Sequence, residues 1–295
     1  LISFGSMAAF LQLTSRIQGP ALALVSFIPV FIRVRASVER LMELSLVEQE
    51  NTGNRCLEGT PEIILRGVSF SYGRKNVLRE LDAIFSPGTA TAIIGPTGAG
   101  KTTLVRLLLG LVKSGQGIAV LKIQEKMYEL SSAERVNFLY VPQGNSLLSG
   151  TIRENLLLAA PDAGEKEMRN VLELACADFV NKLPKGIDTV VGEHGYGLSE
   201  AQRIAVARGL LKQGNVWIFD EVTSALDGQT TGRLIRNLIE KGQGKTLLFI
   251  THDPIVMESC GSMMYMDKDL KKYCFRVAGL LFAVWLPSAC DVKML

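Results

Sequence analysis

The sequence has no concentration of positive charge. Its 32 Lys and Arg residues stand against 29 Asp and Glu residues, which gives a net charge of only +3 over 295 residues. Proteins that bind nucleic acid through its phosphates usually carry a basic patch or stripe. We therefore expect no nucleic-acid partner. A composition of 47% hydrophobic and 21% charged residues is typical of a globular protein with a packed core.

Cysteine pairs at the spacing of a metal site are also missing. The five cysteines are scattered, no two of them form C-x-x-C, and no histidine lies near them at ligand spacing. This pattern favours reduced thiols in a cytosolic domain over a disulfide framework or a zinc site. The cysteines are Cys56, Cys176, Cys260, Cys274 and Cys290.

The beginning of the chain has almost no charge. Residues 1–32 contain one charged residue, Arg16, and no basic n-region of a signal peptide. The first residue is Leu rather than Met, which favours a chain cut from a longer protein. About 20 apolar residues cross a bilayer, and Arg16, Pro20 and Pro29 interrupt this run. We predict one transmembrane helix of a bundle, with a soluble core helix as the alternative.

Positive charge resumes directly after this apolar segment. Arg33, Arg35 and Arg40 begin an ordinary amphipathic stretch, and by the positive-inside bias they assign this end of the helix to the cytoplasm. Residues 1–47 are thus predicted as a transmembrane helix with a cytoplasmic extension. The polar residues 48–60 follow as a linker.

Short apolar runs mark the strands of an α/β sheet. EIILRGVSFSY is typical of a strand, and four further runs are continuously apolar, as buried parallel strands are. The stretch between the second and third of those four runs has no clear strand and favours helices. The four runs are ATAIIG, FLYV, VWIFD and TLLFIT.

A phosphate-binding loop follows the first of these runs. The sequence GPTGAGKT matches G-x-x-x-x-G-K-[ST] between a strand and a helix-like segment, which is the context that the motif requires. Lys101 would contact the β- and γ-phosphates, and the Thr102 hydroxyl would bind Mg²⁺. A glycine turn without a ligand is the alternative. The predicted nucleotide contacts are Gly95, Pro96, Thr97, Gly98, Ala99, Gly100, Lys101, Thr102 and Thr103.

Two adjacent acids end the hydrophobic strand VWIFDE. Asp220 is predicted to hold the Mg²⁺ shell, and Glu221 to polarise the attacking water. The alternative for such a pair is a solvated turn, which the upstream phosphate loop disfavours.

Together these motifs resemble the ABC ATPases, specifically the fused membrane–ATPase subunits of ABC exporters. The similarity runs from about Gly5 to about Asp267. It implies that Gln143 contacts Mg²⁺ and couples to the membrane domain, that His252 contacts the γ-phosphate, and that Tyr72 stacks on adenine. It also implies that Asp227 belongs to the D-loop and contacts the nucleotide.

Each of these residues has an ordinary alternative when taken singly. Tyr72 shares one parity with Val68 and Phe70 on a strand and could be core. His252 could be a surface histidine, and Gln143 a polar loop residue. A second histidine, His194, matches no catalytic element and is predicted to be structural.

The signature motif of the family is shortened here. Members commonly read L-S-x-G-Q and then, two residues on, R-I-A-x-A-R, whereas Arg203 comes five positions after Leu198 instead of seven. Ser199, implied to contact the partner's ATP, is kept, and the glycine is lost. A two-residue deletion rotates one side of a helix by about 200°, so either a turn unwinds or Ser199 moves off its target.

The resemblance implies a P-loop NTPase with a RecA-like α/β core over 61–270. An antiparallel β-subdomain is expected near 61–88, a helical subdomain near 145–205, and a tail of unknown role over 271–295. The implied function is ATP hydrolysis, with ATP and Mg²⁺, coupled to export. The partners would be a second ABC subunit bound head-to-tail, the missing transmembrane helices and the plasma (inner) membrane. The alternatives are a non-catalytic ATP-binding module and a soluble ABC-type ATPase.

Overall fold

The computed structural model describes residues 4–46, 50, 53–144, 146–191, 197–267 and 273–277, the last of these as backbone only. The chain divides into two compact units, Leu1–Asn51 and Thr52–Leu295. His194 and Cys290, and the side chain of Cys274, lie outside the described residues.

The first unit is one long helix, α1, over Phe4–Ser45. It passes through Pro20 and Pro29 without a break, although each proline removes one backbone donor. At 1.5 Å per residue its 42 residues extend about 60 Å. By length and composition the segment Met7–Ser45 could cross a membrane, and none of its apolar window is buried. The helix therefore fits a transmembrane helix better than the core helix of a soluble protein.

The second unit contains an antiparallel sheet of four strands, in the order β2-β1-β4-β5. The sequence prediction of this subdomain near 61–88 was incomplete, because β4 and β5 lie further along the chain, where β4 pairs back onto β1 and β5 pairs with β4. The mixed polarity of β4 gives no clean alternation, so only the pairing reveals it. The four strands are β1 Glu62–Tyr72, β2 Lys75–Phe85, β4 Gln116–Ile123 and β5 Lys126–Glu129.

A six-stranded sheet with the order β12-β11-β3-β10-β9-β6 forms the centre of the unit. All pairings are parallel except that of the edge strand β12 with β11. Strand β12 lies within the tail to which the sequence assigned no role. Every residue of β9 and β10 is buried, which explains their unbroken apolar runs. The strands are β3 Ala90–Ile94, β6 Phe138–Val141, β9 Val216–Asp220, β10 Thr246–Ile250, β11 Ser262–Met266 and β12 Tyr273–Val277.

Alternate residues of this sheet face two different hydrophobic cores. Trp217 and Phe219 pack among the helices on one face, whereas Val216 and Ile218 pack toward the antiparallel sheet on the other. The predicted α/β fold is thereby confirmed. The helices are α2 Lys101–Leu108, α3 Ile152–Leu157, α4 Glu165–Leu174, α5 Leu198–Leu211, α6 Gly228–Lys241 and α7 Pro254–Ser259.

The stretch between β6 and β9 is mainly helical, as its sequence predicts. It also contains a two-residue antiparallel pair, β7 Gly150–Thr151 with β8 Val190–Val191, which the sequence did not reveal. Shorter 3-10 turns complete the unit at Ser132–Asn137, Asp178–Lys182 and Gly186–Asp188.

Strand order decides where the functional candidates meet. Strands β3, β10, β9 and β6 are successive neighbours and parallel, so their carboxyl ends share one edge of the sheet. The phosphate loop follows β3, His252 follows β10, Glu221 follows β9 and Gln143 follows β6. Segments far apart in the sequence thus converge at one place.

Candidate functional site

The loop between β3 and α2 turns tightly through its glycines. Gly95, Gly98 and Gly100 have φ values of 150°, 84° and 101°, which L side chains rarely adopt. A Cβ on Gly95 would lie 2.2 Å from the Met266 carbonyl oxygen, and one on Gly100 would lie 3.0 Å from Leu78 Cδ2. Glycine is therefore required here both by the backbone conformation and by the lack of space.

Helix α2 begins without a side-chain cap. Its N-cap is Gly100, which supplies no side-chain hydrogen bond to the first N–H groups of the helix. These uncapped N–H groups, together with the positive end of the helix dipole, fit an anionic ligand such as a phosphate. Of the neighbouring predicted contacts, Thr97 and Thr102 are exposed, and Thr103 is buried at 6% exposure.

Lys101 lies at the centre of the cluster. Its Nζ donates to the Gly95 carbonyl oxygen, to Pro96 O at 3.4 Å and to His252 Nε2 at 3.0 Å. A lysine ammonium can only donate, so Nε2 of His252 is the acceptor in that contact. Partial burial lowers the pKa of Lys101, and the Glu221 carboxylate opposes this shift.

Asp220 is a buried carboxylate at the end of β9, with 7% exposure. The Tyr140 hydroxyl donates to its Oδ2 at 3.3 Å. Burial, and then the nearby Glu221 carboxylate, raise the pKa of Asp220, while the Tyr140 hydrogen bond and Lys101 lower it. Burial and the Asp220 charge raise the pKa of Tyr140 to about 12, so this phenol is a donor at neutral pH. A buried carboxylate next to a second acid fits a hard divalent cation such as Mg²⁺, which takes oxygen ligands.

Glu221 has a backbone conformation that is rare for its residue type. Its φ is 48°, and its N–H donates to the Ile250 carbonyl oxygen at 2.9 Å. Its carboxylate accepts from Gln143 Nε2 at 2.6 Å and lies 3.6 Å from His252 Nε2. A left-handed non-glycine residue costs about 1–3 kcal/mol, and such residues cluster at active sites and ligand-binding positions.

The predicted adenine contact, Tyr72, lies at the end of β1 and is 43% exposed. It packs edge-on against Phe70, with ring centroids 4.8 Å apart. Bulges in the pairing of β1 interrupt the simple alternation of buried and exposed residues. Of Val68, Phe70 and Tyr72, only Val68 is fully buried. Its exposure disfavours the alternative in which Tyr72 is a core residue.

The remaining two predicted site residues have contacts within their own helices. Ser199 is the second residue of α5, and its Oγ donates to Glu200 Oε2 at 3.1 Å. Helix α5 is continuous from Leu198, so the shortened signature does not unwind a turn within it. Asp227 caps α6 by accepting from the Thr230 N–H at 2.9 Å, and these hydrogen bonds lower its pKa.

Two neighbours of the cluster were not predicted from the sequence. Tyr140 lies within the apolar run FLYV and has the pattern of a core residue until the sheet order brings β6 beside β9. Arg106 lies in the last turn of α2 and donates to the Tyr72 hydroxyl at 3.0 Å. No sequence motif marks either residue.

Fold and cluster together define a P-loop nucleoside triphosphatase domain. The glycine loop enters an uncapped helix, a lysine lies near two consecutive acids at the end of β9, and the sheet is the parallel type that such loops occupy.

Known proteins identify the family. Residues 78–224 match the family model described as ABC transporter. The chain is 33% identical over 273 residues to the mycobactin import ATP-binding/permease protein IrtB of Mycolicibacterium thermoresistibile, covering 85% of this chain and 47% of that protein. It is 32% identical over 279 residues to the alpha-hemolysin translocation ATP-binding protein HlyB of Escherichia coli O157:H7, covering 90% and 39%.

A solved structure agrees with these sequence matches. A bacterial Atm1-family ABC exporter with ATP bound superposes with a TM-score of 0.73 at 27% identity, covering 82% of this chain and 43% of that one. The chain therefore belongs to the ABC transporter family through its ATP-binding domain, and it is homologous to an ATP-binding/permease protein and to an ABC exporter. It spans less than half the length of these relatives.

Proposed function

We propose that this chain binds MgATP at Gly95–Thr102 and is the ATP-binding part of an ABC exporter. One observation carries this proposal. Lys101, Gln143, Glu221 and His252 come from four separate strand ends, yet contacts of 2.6–3.6 Å link them into one cluster. A purely structural cluster would not require a glycine loop, an uncapped helix and a glutamate with a left-handed backbone at the same place.

Each residue has a role that its surroundings support. The P-loop N–H groups and Lys101 bind the phosphates, and His252 contacts the γ-phosphate. Asp220, Thr102 and Gln143 hold Mg²⁺, which when bound neutralises phosphate charge. Glu221 orients the attacking water and accepts its proton. Tyr72 stacks on adenine.

The partners follow from the family. ATP draws two such domains together head-to-tail, and membrane helices of the same or another chain complete the translocation path. Helix α1 anchors the chain in the plasma (inner) membrane, with the ATP-binding domain in the cytoplasm. No nucleic acid is involved. A soluble ABC-type ATPase is disfavoured by α1, and partitioning of the expressed chain into membranes tests this directly.

The shortened signature limits turnover in this proposal. The Ser199 hydroxyl is engaged with Glu200 inside the first turn of α5, and the glycine expected beside the partner's phosphate is missing. Preorganised donors of this kind contribute about 10²–10³ in rate. A non-catalytic ATP-binding or regulatory module is the second candidate, and the same lesion favours it.

Insertion of Gly-Gln after Glu200 should raise steady-state ATPase turnover about tenfold or more, because it restores the length and the glycine of the signature. ATP affinity should stay within about twofold, since the P-loop of the same chain is untouched. An Ala-Ala insertion at the same position restores length alone and is the matched control. If Gly-Gln and Ala-Ala variants turned over at the rate of the unmodified chain with intact binding, the lesion would not limit the rate.

A further inference from the structure

The ring of Tyr72 is held from two directions although it is 43% exposed. Arg106 Nη1 donates to its hydroxyl at 3.0 Å, and Phe70 packs edge-on at 4.8 Å with an interplanar angle of 85°. An exposed tyrosine with no partner for its hydroxyl could rotate among several side-chain conformers. These two contacts instead fix the plane of the ring.

Arg106 has an unusual partner for an arginine. Within the part of the chain that the structure describes, its guanidinium pairs with a phenol, Tyr72, and with no carboxylate. An arginine guanidinium is always cationic and can only donate, so the Tyr72 hydroxyl oxygen is the acceptor in this contact. Arg106 therefore lies where it holds the Tyr72 hydroxyl instead of forming an ion pair.

Helix α2 connects this contact to the phosphate loop. Arg106 comes five residues after Lys101 on the same helix, a displacement of about 7.5 Å along the axis. A nucleotide carries its phosphates and its base at opposite ends. One rigid helix thus starts at the predicted phosphate contacts and reaches the predicted base contact.

We propose that Arg106 is a positioning residue for the nucleotide base. Its hydrogen bond holds the Tyr72 ring, and helix α2 fixes the position of that ring relative to the P-loop. The inference rests on the proposed ATP site at Gly95–Thr102. It adds a residue that acts through Tyr72 and not on the phosphates. Its effect should therefore depend on whether the ligand has a base.

The test compares two magnesium-bound ligands, ATP and inorganic tripolyphosphate, by calorimetry on the detergent-solubilised full chain. Arg106→Met should weaken ATP binding about three- to tenfold, the range of one lost hydrogen bond, and should leave tripolyphosphate within about twofold. Tyr72→Phe, which keeps the ring and removes the acceptor, should match it. The double variant, Arg106→Met with Tyr72→Phe, should bind ATP no more weakly than the single variant with the lower ATP affinity.

Two further variants sharpen the comparison. Arg106→Lys retains a donor and should recover part of the ATP affinity. Arg236→Met removes an exposed helical arginine elsewhere on the surface and should leave both affinities within about twofold of the unmodified chain.

Several outcomes would overturn the inference. Equal loss for ATP and tripolyphosphate in Arg106→Met would mean that the cation acts on the phosphates. No loss of ATP affinity, or additive losses in the double variant, would mean that Arg106 does not act through Tyr72. If the unmodified chain bound neither ligand, the proposed ATP site would itself be wrong, and the inference would fail with it.

Discussion

Replacing Lys101 with alanine should weaken ATP binding at least about 100-fold. The side chain supplies the cation of the cluster, and hydrogen bonds to charged groups contribute about 1.5–3 kcal/mol each. A loss near 2.7 kcal/mol corresponds to about 100-fold in Kd. Calorimetry with MgATP on the detergent-solubilised chain measures it directly.

The fold should survive this substitution. Lys101 Nζ contacts two carbonyl oxygens of its own loop and one ring nitrogen of His252, and none of these belongs to the core. Lys166→Ala, on the exposed face of α4, is the matched control and should leave affinity unchanged. If Lys101→Ala and Lys166→Ala bound ATP equally well, the phosphate site would lie elsewhere.

Replacing Glu221 with glutamine should lower turnover by about 10²–10⁴-fold, the range for loss of a general base. Glutamine is nearly isosteric, so it can keep the contacts to Gln143 and His252 and the left-handed backbone at φ 48°. ATP affinity should therefore change little. Only the step that needs the carboxylate should be lost.

This measurement is best made in the Gly-Gln insertion background, where we expect turnover to be highest. Glu240→Gln, an exposed acid on α6, serves as the control for loss of one negative charge. Turnover in Glu221→Gln equal to that of its parent would exclude Glu221 as the base.

Much of the fold could be predicted from local sequence. Continuous apolar runs identified β3, β6, β9 and β10, because strands buried on both faces leave no polar positions. Strands β4 and β5 were missed because many of their residues are exposed and because β4 joins the sheet through β1, which is distant in sequence. The edge strand β12 was missed because its pairing with β11 has no local signal.

The candidate site, like the fold, could be predicted only where the signal is local in the sequence. The P-loop and the acid pair are contiguous motifs, so their chemistry could be predicted from spacing alone. The contacts of Tyr140 with Asp220 and of Arg106 with Tyr72 depend on sheet order and on the helical turn, which no motif records. The roles of Ser199 toward a partner's ATP and of Asp227 toward the nucleotide remain predictions, since both side chains here have contacts within their own helices.

The central claim is that this chain binds ATP on its own P-loop but turns it over slowly. It is tested most directly by measuring ATP affinity and steady-state hydrolysis on one preparation of the unmodified chain over a range of protein concentrations. We predict saturable binding with turnover that stays low as the concentration rises. Hydrolysis that rose with concentration to the rate of the Gly-Gln insertion variant, or no saturable binding at all, would contradict the claim.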